Sequence, residues 1–239
     1  MAALGAGMRV PNARWGASRM AFEWFAVGLG GYLVGAIPFA LVIGRMLHGI
    51  DVREFGTGNP GASNAYRNAG KLTGVLVILL DVAKVAAPFL ILALALDRLI
   101  MAVIWAAACQ VGHSWPVYLG FRGGKGVAVG GGSYVAYAFV IGNVGLLLGI
   151  LFGYGTGVAV GRPGFATVAL FGVGPLYCLI ADGPGELVPG AIAIFVICIL
   201  RRIWDLPGAW NSYPIKTSLI WSVVGEDMIP GETTVGRRG

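Results

Sequence analysis

Residues 53–67, R-E-F-G-T-G-N-P-G-A-S-N-A-Y-R, concentrate anion-binding groups in a chain that is otherwise mostly apolar. Gly56, Gly58 and Gly61 let backbone N–H groups come close to a bound group. Thr57, Asn59, Ser63 and Asn64 add side-chain donors, and Arg53 and Arg67 add permanent positive charge. Such a loop suits a phosphate held by backbone nests and bidentate arginine contacts. Gly-Asn-Pro-Gly also makes ordinary turns, so composition alone leaves both readings open. A second segment, F-R-G-G-K-G at 121–126, sets Gly123, Gly124 and Gly126 around Lys125 just before an apolar run. Backbone donors at a helix start beside a lysine make a second anion site, with a lysine snorkelling to a membrane interface as the plainer reading. The segment lacks the spacing and the hydroxyl of a Walker loop.

The elements that must hold these loops are membrane helices. Of 239 residues, 57% are hydrophobic and 12% charged, and the mean hydropathy is +0.79. A soluble domain carries about 25% charged residues, so this chain lacks the polar surface to coat itself in water. Forty glycines fit the same class, because small residues let membrane helices approach closely. The fold class expected is all-α, a polytopic integral membrane protein of about seven spans, with six as the fallback. The spans fall at about 23–47, with a kink at Pro38; 72–96; 99–110; two within 126–161, divided at Gly142 and Asn143; 163–181; and 187–200. The second span contains Asp81 and Lys84, three apart on one helical face, where they pair with each other or line a polar site. Residues 1–20 read as an extramembrane arm, 21–203 as the membrane domain and 204–239 as a cytoplasmic or interfacial tail. The apolar stretch after the arm is too long for a signal-peptide core and reads as retained. Of the Lys and Arg residues, only Arg9, Arg14, Arg19 and Arg98 fall on one side of this arrangement, and Lys84 lies within a span. The positive-inside rule then puts both glycine-rich loops on the cytoplasmic side, two spans apart.

Several function classes drop out. The net charge of +6 comes with no dense basic run interleaved with aromatics, so no nucleic acid partner is implied. Cys109, Cys178 and Cys198 lie in apolar segments without C-x-x-C spacing and read as buried free thiols. With His48 and His113 the only histidines, no metal site or cofactor is expected. There is no G-x-S-x-G elbow, and His113 is followed by S-W-P-V-Y rather than the His-x4-Asp pairing of many acyltransferases. Chemistry here must rest on positioning and charge stabilisation, which suits a substrate already activated and anionic.

Four segments in order, G-A-I-P-F-A-L-V-I-G-R (35–45), G-T-G-N-P-G-A-S-N-A-Y-R (56–67), D-V-A-K (81–84) and G-H-S-W-P-V-Y-L-G-F-R-G-G-K-G-V-A (112–128), resemble the bacterial acyl-phosphate-dependent glycerol-3-phosphate acyltransferases. The resemblance covers residues 31–132 closely. It implies a seven-helix enzyme of the bacterial inner membrane whose site faces the cytoplasm. Such an enzyme moves a fatty acyl group from acyl phosphate to the 1-hydroxyl of glycerol 3-phosphate, giving lysophosphatidate and phosphate. Carried across, Thr57 stands where serine is usual and, with Gly56, Gly58, Asn59, Gly61, Ser63 and Asn64, binds phosphoryl groups. Arg67 and Lys125 contact phosphate and neutralise developing charge, while Gly123, Gly124 and His113 complete the substrate site. Partners are then acyl phosphate, glycerol 3-phosphate and membrane lipids. Ala36 also stands where serine is common. The family's third motif, a C-terminal H-x-x-N-I type, has no counterpart, since no histidine follows His113; Arg201, Arg202 and Asn211 lie in the corresponding region. The competing expectation is a non-catalytic relative, a lipid-binding or structural subunit of a membrane complex. An anion transporter would show broken helices or repeats in both halves, whereas the polar features concentrate in the first.

Overall fold

The computed structural model describes residues 13–143, 145, 147–149, 163–180 and 185–204; the N-terminal twelve residues and the tail beyond Trp204 lie outside them. Among the described residues the helices are α1 (Ala13–Gly35), α2 (Phe39–His48), α3 (Ala62–Asn68), α4 (Lys71–Leu90), α5 (Leu99–Ser114), α6 (Val127–Ile141), α7 (Pro163–Ile180) and α8 (Leu187–Trp204). No strand occurs among the described residues. Among the described residues four stretches are long and apolar enough to cross a membrane, Ser18–His48, Lys71–Ala95, Leu99–Leu119 and Leu187–Trp204, and Val127–Ile141 is a shorter apolar helix. The architecture is therefore all-helical and membrane-integral. Parts of residues 144–162, on which the count of seven depends, lie outside the described residues.

Polarity is inverted relative to a soluble bundle. Phe22, Leu72, Leu79, Phe139, Leu179 and Leu200 are exposed, while Asp81, Lys84, Gln110, His113 and Arg201 are buried. Lipid solvates the first group without cost, so the chain buries its polar groups inward. The apolar core lies where α4, α5, α6, α7 and α8 meet, around Phe89, Tyr134, Tyr137, Phe171 and Ile194. The Tyr134 hydroxyl lies 3.2 Å from the carbonyls of both Phe171 and Ala191, placing α6 against α7 and α8.

Small residues set the crossing of α1 and α5. A Cβ at Gly35 would collide with the backbone of Cys109, and one at Gly112 with the carbonyl of Tyr32. The pattern Gly31-x-x-x-Gly35 thus brings one backbone onto the other, as in close-packed membrane helix pairs.

The first span differs from expectation. Pro38 does not kink one helix; it separates two, with α1 ending at Gly35 and α2 starting at Phe39. Proline has no N–H to continue the ladder and disfavours helical geometry in the residue before it. Eight residues of the expected arm, 13–20, already belong to α1. The turn at Asp97 and Arg98 is as short as expected, with α4 running through a π-turn, Ile91–Ala95, before it. The division after Ile141 also falls as expected, where Gly142 takes φ 69° and caps α6.

Gly112→Ala should destabilise the purified protein by about 1–3 kcal/mol through overpacking against the α1 backbone. Thermal unfolding in detergent measures this, with Gly131→Ala as the control because its Cβ meets open space.

Candidate active site

The first glycine-rich loop is held by two side chains. Asp51, just past α2, accepts from the backbone N–H of Arg53 at 3.0 Å and from its guanidinium at 3.0 and 2.7 Å, and also from Arg45 at 2.8 Å. The Arg53 guanidinium holds the Asp51 carboxyl well below the usual carboxylate range. A lowered value means that this contact is intact above about pH 4 and is lost only as pH falls into the strongly acidic range. Arg53, which composition offers as an anion contact, is therefore engaged by an acid two residues away. Asn64 makes the second set of contacts. Its amide N–H groups donate to the carbonyls of Val52 at 2.6 Å and Phe55 at 3.1 Å, and its oxygen accepts from the Thr57 backbone N–H at 3.3 Å and from Asn68 at 2.9 Å. Gly56 (φ 57°) passes so close that a Cβ would lie 2.6 Å from this oxygen. Asn64 thus shapes the loop from inside, where the sequence lists it among substrate donors.

The second site component lies beneath the α1–α2 break. A helix end leaves carbonyls without partners. Those of Gly35 and Ile37 accept from the Lys84 ammonium at 2.8 and 3.2 Å. Lys84 also pairs with Asp81 at 2.8 Å and lies 3.3 Å from His113 Nδ1, with its ammonium 5.5 Å from the centre of the Phe39 ring. Both readings of the Asp81–Lys84 spacing hold: the two pair, and Asp81 lines a cleft.

Three contacts fix the F-R-G-G-K-G loop over the end of α5. The Gly124 N–H donates to the His113 carbonyl at 3.1 Å, Arg201 of α8 donates to the Gly123 carbonyl at 2.8 Å, and Gln110 donates to the Gly126 carbonyl at 3.2 Å. Gly126 (φ 77°) caps α6 in a conformation where a side chain would collide with Gln110. Lys125 is left half-buried between these anchors.

A small open cleft lies where these parts meet. Its wall includes Pro38 and Phe39 from the helix break, Pro60 from the first loop, Asp81, His113, and Gly123 and Gly124 from the second loop. The fold thus brings the two glycine-rich loops together. Of the residues singled out in the sequence, His113, Gly123 and Gly124 line the cleft directly. Gly56, Thr57 and Gly58 form one loop adjoining Pro60, braced by Asn64 from α3, while Asn59 is half-buried and Gly61 caps α3. Thr57, Ser63 and Arg67 are exposed and lie outside the cleft wall. Sequence reasoning missed Gln110 and the anchoring contact of Arg201. The available signals were a carboxamide inside an apolar span and an arginine pair in the last turn of the last helix.

The glycerol-3-phosphate acyltransferase family model matches residues 25–206. A glycerol-3-phosphate acyltransferase of Anaeromyxobacter sp. (strain K) is 49% identical over 112 residues, 45% of this chain and 56% of the relative. That match spans only about half the length of the relative. Glycerol-3-phosphate acyltransferase 5 of Dehalococcoides mccartyi is 36% identical over 209 residues, covering 85% of this chain and 88% of its own. Among solved structures, PlsY, an integral membrane glycerol 3-phosphate acyltransferase, matches in its glycerol 3-phosphate form with a TM-score of 0.67 and 28% identity, over 82% of this chain and 98% of that one. Its lysophosphatidic acid form matches with a TM-score of 0.65. A family-model match over residues 25–206, a relative 36% identical over most of both chains and a shared helical fold lead to one conclusion: the chain belongs to the glycerol-3-phosphate acyltransferase family.

Proposed function

We propose that this chain is a membrane acyltransferase that transfers a fatty acyl group from acyl phosphate to the 1-hydroxyl of glycerol 3-phosphate. The observation that carries this reading is the convergence of two glycine-rich loops, each with a nearby cation, on one cleft at the end of a membrane helix bundle. Relatives named glycerol-3-phosphate acyltransferase, and a similar solved structure described in glycerol 3-phosphate and lysophosphatidic acid forms, support it.

In the proposed reaction the glycerol 3-phosphate hydroxyl oxygen attacks the acyl carbon. The bond between that carbon and the phosphate oxygen breaks, and inorganic phosphate leaves with the electron pair. The hydroxyl proton passes to the departing phosphate, so no protein base is required. Acyl phosphate is already an activated mixed anhydride, and the protein contributes alignment and charge stabilisation. Lys125 and Arg67 would neutralise phosphoryl charge, with Thr57 and the backbone of both loops as donors. The reading assigns residues 21–203 to the acyltransferase domain and places it in the bacterial inner membrane with the cleft on the cytoplasmic side. Both substrates are anionic, and the acyl donor reaches the cleft from lipid.

Purified protein given palmitoyl phosphate and glycerol 3-phosphate should release phosphate only when both are present. Lys125→Ala and Arg67→Ala should each lower that rate by about 10²-fold or more; absence of turnover by well-folded wild-type protein would favour a structural or lipid-binding role. Gly124→Ala sets a Cβ against the His113 imidazole. A displacement of about 1 Å at a reacting site can lower the rate about 10²-fold, so this variant should lose activity, and overpacking against the buried ring should also lower its unfolding temperature. Asn64→Asp should behave differently, turning an acceptor onto the carbonyls of Val52 and Phe55. It should destabilise the protein by about 1–3 kcal/mol, measured by thermal unfolding in detergent, and more than Asn64→Ser.

A further inference from the structure

We infer that His113 presents a protonated Nε2 to the cleft as a hydrogen-bond donor for a phosphoryl oxygen, and that Lys84 and Asp81 are positioning residues that fix this tautomer. The inference rests on the proposed reaction for its catalytic consequence, though not for its geometry.

An ammonium group donates and never accepts. Lys84 Nζ lies 3.3 Å from His113 Nδ1, and a ring nitrogen this close to an ammonium favours the lone pair over a proton, whether it takes an N–H or only faces the charge. A proton on Nδ1 would point at a fixed positive charge. The nearest carboxylate oxygen, Asp81 Oδ1, is 3.7 Å from Nδ1, too far for a hydrogen bond that would favour a proton there. Asp81 pairs instead with the ammonium, at 2.8 Å, and aims it. With Nδ1 as acceptor, the neutral ring carries its hydrogen on Nε2.

Position does the rest. His113 is 8% exposed, and its Nε2 edge abuts Gly124, where a Cβ would collide with it. Both residues line the cleft. Among the described residues Nε2 meets no hydrogen-bonding partner. The Gly124 N–H is bonded to the His113 carbonyl, which locks ring and loop together at the backbone. A neutral N–H held at a low-dielectric wall is a donor suited to an oxyanion, and its hydrogen bond strengthens as charge builds on the departing phosphate. The ligand class is therefore a phosphate monoester, an acyl phosphate or inorganic phosphate.

The test uses the full chain in detergent. It has only two histidines, so long-range nitrogen–proton NMR resolves both imidazoles, with His48→Gln to assign them. His113 should carry its proton on Nε2 near neutral pH, and that resonance should shift when inorganic phosphate is added. A proton on Nδ1, or no shift at saturating phosphate, would overturn the inference. The double variant Asp81→Asn/Lys84→Met removes both charges together and should lose the tautomer preference; if the preference persists, the positioning role is wrong. In phosphate-release assays His113→Gln, which keeps an N–H near Nε2, should retain activity to within about tenfold, and His113→Leu should lose about 10²-fold in kcat. Equal rates for the Leu variant and an active wild type refute the donor role. An inactive wild type would instead refute the proposed reaction, while the NMR result would still decide the tautomer.

Discussion

Lys84 carries a positive charge into the interior of a membrane helix bundle, where an isolated charge is costly and four acceptors surround it. Two of those acceptors are carbonyls released by the end of α1, one is a carboxylate a turn earlier on α4, and one is the imidazole at the end of α5. The interaction explains why the chain breaks at Pro38 rather than running on. A continuous helix would leave the carbonyl of Gly35 within its own ladder, and the ammonium would lose a partner it needs. Breaking a buried pair by removing one member typically costs about 3–5 kcal/mol, because the other charge is left uncompensated. Three helices are thus tied at one point, and that point forms one wall of the cleft.

The same arrangement separates groups that build the site from groups that face it. Asn64 with the loop backbone and Gln110 with Gly126 are turned into the protein, while Asp51 holds Arg53 at the surface. Their polar atoms satisfy backbone groups that would otherwise be buried without partners. A glycine-rich loop therefore does not advertise which of its polar residues contact a ligand: Asn64 is a buried strut of the loop, and Arg53 is paired with Asp51 at its edge.

Much of the fold was legible beforehand. Hydropathy marks the span beginning near residue 72, Gly142 and Asn143 mark the break after Ile141, and the spacing of Asp81 and Lys84 offers both their pairing and a polar lining. The α1–α2 break was legible only as a kink, since the letter proline does not say whether a distant lysine is available to satisfy the freed carbonyls. The site was legible as two loops in order, and their order in sequence says nothing of whether they meet. That depends on α5 running antiparallel to α4 and returning the chain to the same end of the bundle. Gln110 and Arg201 were illegible as anchors because their partners are backbone carbonyls, which every residue possesses and no sequence pattern marks.

Arg201 bears on the missing C-terminal motif. The resemblance implies a histidine and an asparagine supplied from the region after the last span, and this chain has neither residue in that pattern. Yet the end of α8 still reaches the site, since Arg201 donates to the Gly123 carbonyl at 2.8 Å while buried. Trp204 in the same turn packs edge-on against Trp115, ring centres 6.4 Å apart, beside the turn that follows α5. The last helix therefore holds the second glycine-rich loop in place through its final turn. A guanidinium suits this work, because it stays charged and donates in several fixed directions from a buried position. Loss of the histidine consequently does not detach α8 from the cleft: the scaffold that would align two anionic substrates remains closed on this side, and the proposed transfer, in which phosphate itself takes the proton, asks no more of α8 than that alignment.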